Sequence, residues 1–283
     1  MIRPDHILSN PTVERDQQQG RVAAYFDAHA LDWKTIYERP GVYATIHQQR
    51  RARVLRLIDG LALPAGSVVL ETGCGAGSVA VALAERGHFV QATDFVAAMV
   101  SFTGRLVIEA KVEDRVRTSV SDIRDLKFPD DSFDLVVALG VLPWISPPLD
   151  TPVREIARVL KPGGHMVANI DNRWRLNHIL DPLWAGRRLL GRTVRRLGIA
   201  RTASSACAHT CSPRHFDQLL QAAGLVKLHT FTLGFGPFSL LSREVLPEPL
   251  GLKLHSKLQS LADKGFPGIR ACGNQYVVLA KKE

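Results

Sequence analysis

Glu71, Gly73, Gly75, Gly77 and Asp94 are the residues of this chain whose types and spacing carry the most chemistry. They belong to the run Val68, Val69, Leu70, Glu71, Thr72, Gly73, Cys74, Gly75, Ala76, Gly77, an apolar strand that ends on an acid and opens into a glycine turn. Gly73 and Gly75 let the backbone turn sharply and approach a ligand, and Gly77 lets a following helix, expected over residues 78–86, seat against the sheet. Glycines also mark ordinary strand-to-helix turns, so the acid decides the reading. A carboxylate two residues before the first glycine repels a pyrophosphate. It suits S-adenosylmethionine (SAM), which has no phosphate and carries a sulfonium and an ammonium. Asp94 closes a second expected strand, residues 88–93, about 20 residues beyond the first glycine, where a carboxylate can accept both ribose hydroxyls. A third strand, residues 115–120, leads into Ser121, Asp122 and Ile123, which offer a carboxylate to an adenine amino group and an apolar side chain to the ring.

The chain resembles the class I SAM-dependent methyltransferases over most of its length. The resemblance is carried by Val68 to Gly77, by Gln91 to Asp94 with Met99, by Ser121 to Ile123, by Phe133 to Leu139, and by Leu160 to Gly164 as the turn before a fifth strand at residues 165–170. It implies an α/β, Rossmann-like fold: seven strands, mostly parallel, the last antiparallel, with helices on both faces. It also implies a cofactor at the carboxyl ends of the first strands, held by Glu71, Gly73, Cys74, Gly75, Gly77, Asp94, Phe95, Met99, Asp122, Ile123 and Leu139. A partial resemblance to magnesium-protoporphyrin O-methyltransferases runs through Tyr25 to Asp27, Trp33 to Tyr37 and His47 to Gln49. That family implicates the tyrosine matched by Tyr25 and a histidine after the fourth strand, whose place is taken here by about Trp144.

Composition sets bounds on the rest. The 283 residues, 46% hydrophobic, can bury one large core, and the length suits one α/β unit with additions. No apolar leader follows Met1, and no apolar run approaches the roughly 18 residues of a membrane span, so a cytoplasmic protein is expected. Four cysteines, Cys74, Cys207, Cys211 and Cys272, are too scattered for a disulfide framework, and the spacing of Cys207, His209 and Cys211 falls short of a four-ligand metal site, so no metal is expected.

Three additions surround the expected core, which begins near residue 67 and runs to 283. Residues 1–66 form an N-terminal arm with helical patterning at 18–26 and 48–58, and its aromatics, Tyr25, Phe26, Trp33 and Tyr37, could close over a ligand. Residues 172–211 carry an apolar helical stripe (Leu176, Leu180, Leu183, Trp184) with eight arginines, the pattern of a lid that covers an apolar substrate or rests on an anionic membrane surface. Residues 234–273 separate two strands that usually form a hairpin, and either enclose substrate or pack on that lid.

Function follows from these features as an expectation: methyl transfer to an oxygen, less readily a carbon, of a hydrophobic or planar small molecule such as a quinone, lipid, tetrapyrrole or natural product. Trp144, with Gly140 to Pro143, makes an apolar loop where enzymes that methylate base amines carry polar residues. That places nucleic acid second despite the net charge of +9. Tyr37, Trp144, Trp174 and Trp184 are the expected substrate contacts. Tyr25, His178, His209 and Asp171 are candidate bases, needed only if the acceptor oxygen is not already ionised. Two other classes stay open at this stage: a protein of this fold that binds SAM without transferring methyl, as some cyclases do, and an RNA methyltransferase.

Overall fold

The computed structural model describes residues 11–177, 208–240 and 243–283. Helices α1 (Pro11–Ala28), α2 (Ala30–Thr35) and α3 (Val42–Asp59) precede an alternation of β1 (Val68–Thr72), α4 (Ser78–Glu85), β2 (Phe89–Asp94), α5 (Ala97–Glu109), β3 (Val116–Val120), β4 (Phe133–Ala138), α6 (Asp150–Val159) and β5 (Leu160–Asn172). There follow β6 (Thr210–Cys211), α7 (Pro213–Ala222), β7 (Leu225–Leu233), the short pair β8 (Ser239–Leu240) and β9 (Arg243–Glu244), α8 (Glu248–Asp263) and β10 (Gln275–Lys282). The main sheet has the order β3-β2-β1-β4-β5-β10-β7, with β6 beside the end of β5. In that sheet, among the described residues, only β10 runs antiparallel, between β5 and β7, as the resemblance implied for the last strand.

Side-chain alternation explains why this sheet is covered twice. Leu70, Val136, Ala138, Met166, Ala168, Ile170, Val278 and Ala280 enter one apolar layer with α6 and α7. Their odd-numbered neighbours Val69, Leu135, Val137, Val167, Val277 and Leu279 enter the other with α3 and α4. A strand buried on both faces needs an unbroken apolar run, and β1 and β4 supply it. Helix α4 is buried along nearly its whole length (Val79 to Ala84), whereas α6 is amphipathic, with Val153, Ile156, Ala157 and Val159 inward.

Two of the three additions are visible. The arm is helical, and its Ala30, with Ala23, Phe26 and Trp33, packs on Val96 and Met99 after β2. Helix α8 does not enclose a substrate: it buttresses α3, with His255 Nε2 3.1 Å from Gln49 Oε1 and Gln259 Oε1 accepting the Gly234 N–H at 2.9 Å. The alternative, packing on the lid segment, is seen at that segment's start, where Asn172 Nδ2 donates to Ala271 O and Gly273 O at 2.8 and 2.9 Å, and Asn177 Nδ2 donates to Pro237 O. The rest of the lid expectation, residues 178–207 with His178, Trp184 and Cys207, lies outside the described residues. Among the described residues no helix is long and apolar enough to cross a membrane.

Candidate active site

The strand order reverses between β1 and β4, so their following loops diverge and leave a crevice at the carboxyl ends. Gly73, at φ +73°, shapes it: a Cβ there would lie 2.7 Å from Val141 Cβ, so only glycine lets the β1 loop meet the β4 loop. Gly77, at φ +88°, has the same constraint on the other side, since a Cβ would sit 2.9 Å from Thr103 Cγ2 on α5. The Gly75 side of the turn is open, with nothing within 4 Å of a Cβ position. The crevice is a cleft of about 340 Å³ whose wall runs from the glycine turn past Asp94, Ser121, Ile123 and Leu139 to the arm and to the ends of β5 and β10.

Acid chemistry dominates one end. Glu71 is fully buried and its Oε2 has no partner; burial, then the neighbouring Asp94 charge, pushes its carboxyl up to about 8. An orphaned buried carboxylate oxygen is costly unless a donor or cation reaches it, and a cationic ligand is the remedy open to this cleft. Asp94 is fixed by two backbone N–H groups, Gly75 N to Oδ2 and Val96 N to Oδ1, both at 2.9 Å. Burial still raises its carboxyl above the usual range. Each oxygen keeps a lone pair for a hydroxyl, so the ribose clamp fits. Ser121 Oγ, in the same wall, is buried and unpartnered. These donor-seeking groups fit SAM, with its ammonium, sulfonium and ribose hydroxyls.

The other end is aromatic above and polar below. Trp144 lies 5.5 Å from Tyr25 in a stacked pair and 4.9 Å from Phe26 edge-on; Phe26 continues to Trp33, and Trp33 to Tyr43 and His47. Phe26, Trp33, Tyr37, Tyr43 and Trp144 face the cleft. Beneath them are His47, Arg50, Asp171, Arg175, Asn274 and Gln275. Burial, then the Arg50 charge, lowers His47 to about 3, so the ring is neutral, and the 2.9 Å contact of Nδ1 with the Tyr43 carbonyl makes Nδ1 the donor. Arg50 is buried at 6% exposure with Nη1 3.5 Å from Gln275 Oε1, and Gly140 makes room for it, since a Cβ would lie 3.0 Å from Nη2. Asp171 accepts from Arg175 Nη1 at 3.3 Å; burial raises the acid and lowers the guanidinium.

Of the residues expected to meet the cofactor, Glu71, Gly73, Cys74, Gly75, Asp94, Phe95, Met99, Asp122, Ile123 and Leu139 line this cleft, while Gly77 supports the turn from behind. Asp122 arrives with its carboxylate already engaged: Arg124 Nη2 donates to Oδ2 at 2.7 Å and Arg124 N to Oδ1 at 2.9 Å. Tyr37 and Trp144 lie in the wall as expected of substrate contacts. Trp174 does not; it is 40% exposed and outside the cleft. Tyr25 also misses the wall, because its ring is spent on stacking between His29 and Trp144. His209 sits behind Pro143, its backbone N–H donating to the Pro143 carbonyl at 2.5 Å and its ring Nε2 buried without a partner. Sequence reasoning gave no role to Arg50, Gln19, Tyr43 or Asn274. Arg50 had a signal: Ile46, Arg50, Val54 and Ile58 recur every fourth residue, a charge set in the buried stripe of α3.

A family profile described as a methyltransferase domain matches residues 70–168. A demethylmenaquinone methyltransferase of Clavibacter sepedonicus is 33% identical over 152 residues, 53% of this chain and 58% of that one. A 27-O-demethylrifamycin SV methyltransferase of Amycolatopsis mediterranei is 32% identical over 162 residues, 55% of this chain and 54% of that one. The chain thus spans little more than half the length of these relatives. Among solved structures, the magnesium protoporphyrin IX methyltransferase of Synechocystis with bound S-adenosylhomocysteine (SAH) superposes with a TM-score of 0.61 at 16% identity, covering 97% of this chain and all of that one. The cyclase SpnF superposes with a TM-score of 0.60 at 21% identity, covering 94% and 96%. At these identities the structural likenesses establish the fold alone.

Proposed function

We propose that this chain, whose residues 70–168 match a methyltransferase domain, is a SAM-dependent methyltransferase that passes the methyl group to an oxygen of a hydrophobic, planar small molecule. The observation that carries this is the run of rings from Trp144 through Phe26 to Trp33 and Tyr43, facing the glycine turn across one cleft. Flat apolar surfaces bind by offset stacking and burial, and four rings in one wall offer such a surface. Two relatives are named for small-molecule substrates, a demethylmenaquinone and 27-O-demethylrifamycin SV.

SAM supplies an electrophilic methyl on a sulfonium, which leaves as a thioether. The chain's own residues hold and align: Asp94 the ribose, Ser121 and Ile123 the adenine side, Glu71 the ammonium, and Arg50 the carboxylate. Methyl transfer is an in-line displacement, so alignment and exclusion of water carry most of the rate. The arm helices α1 and α2 supply the exclusion by packing on Val96 and Met99. An acidic substituent or an anionic surface could also meet the arginines between residues 187 and 201, a contact resting on sequence alone.

Incubation of the protein with methyl-tritiated SAM and cell extract tests the reading. Label should accumulate in the organic-soluble fraction. Label in the nucleic acid fraction would reverse the substrate class, and SAH binding with no label in any fraction would favour a non-transferring protein of this fold, the class to which the likeness to SpnF draws attention.

A further inference from the structure

We propose that Asp171 is the general base of the reaction: its carboxylate takes the proton of a neutral hydroxyl on the acceptor, while Asn274 Oδ1 receives a second hydrogen bond from the same molecule. The inference rests on the methyl-transfer reading and narrows it to acceptors that arrive protonated, phenols, enols or alcohols, rather than carboxylates.

Placement comes first. Asp171 stands near the carboxyl end of β5, in register with Gln275 at the start of β10, and both line the cleft. The Asn172 N–H donates to the Asn274 carbonyl at 2.8 Å, which ties Asn274 to the same corner. The amide of Asn274 has only one sensible orientation, because its Nδ2 donates to the Gly236 carbonyl; its Oδ1 is then buried without a partner. Arg175 Nη1 donates to Oδ2 of Asp171 at 3.3 Å. Asn274 Oδ1, an orphaned acceptor of a residue in the same cleft wall as Asp171, calls for a ligand that donates.

The other titratable groups of the acceptor end are worse suited. His47, lowered to about 3, is too weak a base to take a hydroxyl proton near neutrality, and Tyr43, raised to about 12, is protonated there. Tyr25 and His209 are off the cleft wall. Asp171 has its carboxyl raised by burial, while the charges of Arg175 and Arg50 keep the ionised form within reach. That combination moves a carboxylate toward useful basicity. A neutral hydroxyl placed beside Asp171 meets a hydrogen-bond acceptor.

The step balances without further reagents. The O–H bond of the acceptor breaks with its proton passing to Asp171, and the oxygen pair forms the bond to the methyl carbon. The carbon–sulfur bond breaks with its pair returning to sulfur, and the proton leaves Asp171 for solvent as product departs.

Single-turnover tritium transfer to the organic-soluble extract, compared between wild type, Asp171→Asn and Asp171→Glu, tests the proposal alongside calorimetric SAH affinity. Asp171→Asn should lose about 100-fold or more in transfer, the scale of a general base, while Asp171→Glu regains part of it. SAH affinity should change by no more than about twofold, since cofactor binding is separate from proton removal. A second readout is independent of turnover: quenching of tryptophan fluorescence by 2-naphthol and by 2-methoxynaphthalene in the SAH complex. Wild type should bind the naphthol more tightly by about fivefold, one hydrogen bond's worth, and both Asp171→Asn and Asn274→Leu should shrink that preference. Folded Asp171→Asn that transfers within about threefold of wild type, or wild type with no naphthol preference, would overturn the base while leaving the methyl-transfer reading intact. Wild type that labels nothing removes that reading and the base with it.

Discussion

The two ends of the cleft are built differently. The SAM end comes from residues within a few positions of strand ends: Glu71 near the end of β1 and Gly73 just after it, Asp94 as the last residue of β2, Ser121 to Ile123 after β3, Leu139 after β4. The acceptor end is assembled from parts far apart in the chain: Phe26 and Trp33 of the arm, His47 and Arg50 of α3, Trp144 after β4, Asp171 of β5 and Asn274 before β10. One end recognises a fixed ligand with fixed spacing. The other is free to vary, because no local spacing constrains it.

That contrast predicts different outcomes for substitutions at the two ends. The largest effect should be at Asp94. Asp94→Ala removes two charge-assisted ribose bonds and the anchor for Gly75 N and Val96 N, so SAH affinity should fall by about 2–4 kcal/mol, with partial compensation by water. Isothermal titration reads it. An unchanged affinity in a folded variant would remove Asp94 from the ribose.

Glu71 should give the cofactor end a pH signature. Its carboxyl ionises at about 8 when folded and unliganded, against 4.5 ordinarily. The raised value means that its contribution to stability is fully present below about 4.5 and is lost as pH rises toward 8, where the buried acid is forced to ionise. A cationic ligand prefers the ionised acid and offsets that loss. SAH affinity should therefore drop about tenfold for each pH unit below 8, and the rise in Tm caused by SAH should be larger at high pH than at low. Glu71→Gln should flatten both trends; a pH-independent wild type would separate Glu71 from the ligand's charge.

A smaller, purely structural effect belongs to the turn. Gly77→Ala places a Cβ 2.9 Å from Thr103 Cγ2 at a φ of +88°, so Tm should fall by an amount corresponding to about 1–3 kcal/mol. Gly75→Ala meets no neighbour within 4 Å and is strained only by its φ of +55°, so it should cost less. Equal losses would mean that the contact with α5 does not matter.

The same contrast explains what the sequence discloses. Strands β1 and β2 and helices α3 and α4 are legible because apolar runs, period-3.6 stripes and glycine stops act locally. The cofactor residues are legible because each follows a strand at fixed distance. Arg50 is not legible as a ligand group, since only the packing of α3 over Gly140 shows where a charge in an apolar stripe goes. Tyr25 was misdirected by its aromatic neighbourhood: a ring beside Phe26 and opposite Trp144 can face the cleft or stack behind it, and the turn of α1 chooses stacking. The role of 234–273 was open for a similar reason, because an apolar residue on α8 serves α3 as readily as a substrate: Leu252 packs with Val42 and Ile46.

The most direct test of one cleft with two separate ends is Trp144→Ala, assayed in parallel for SAH affinity and for tritium transfer to the organic-soluble fraction. Trp144 is the ring that joins the β4 loop to the arm, through Tyr25 and Phe26. Transfer should fall by about tenfold or more, as expected when a buried aromatic contact worth about 1.5 kcal/mol is lost, with SAH affinity within about twofold of wild type. A parallel fall in both would contradict the division and make Trp144 part of the cofactor site.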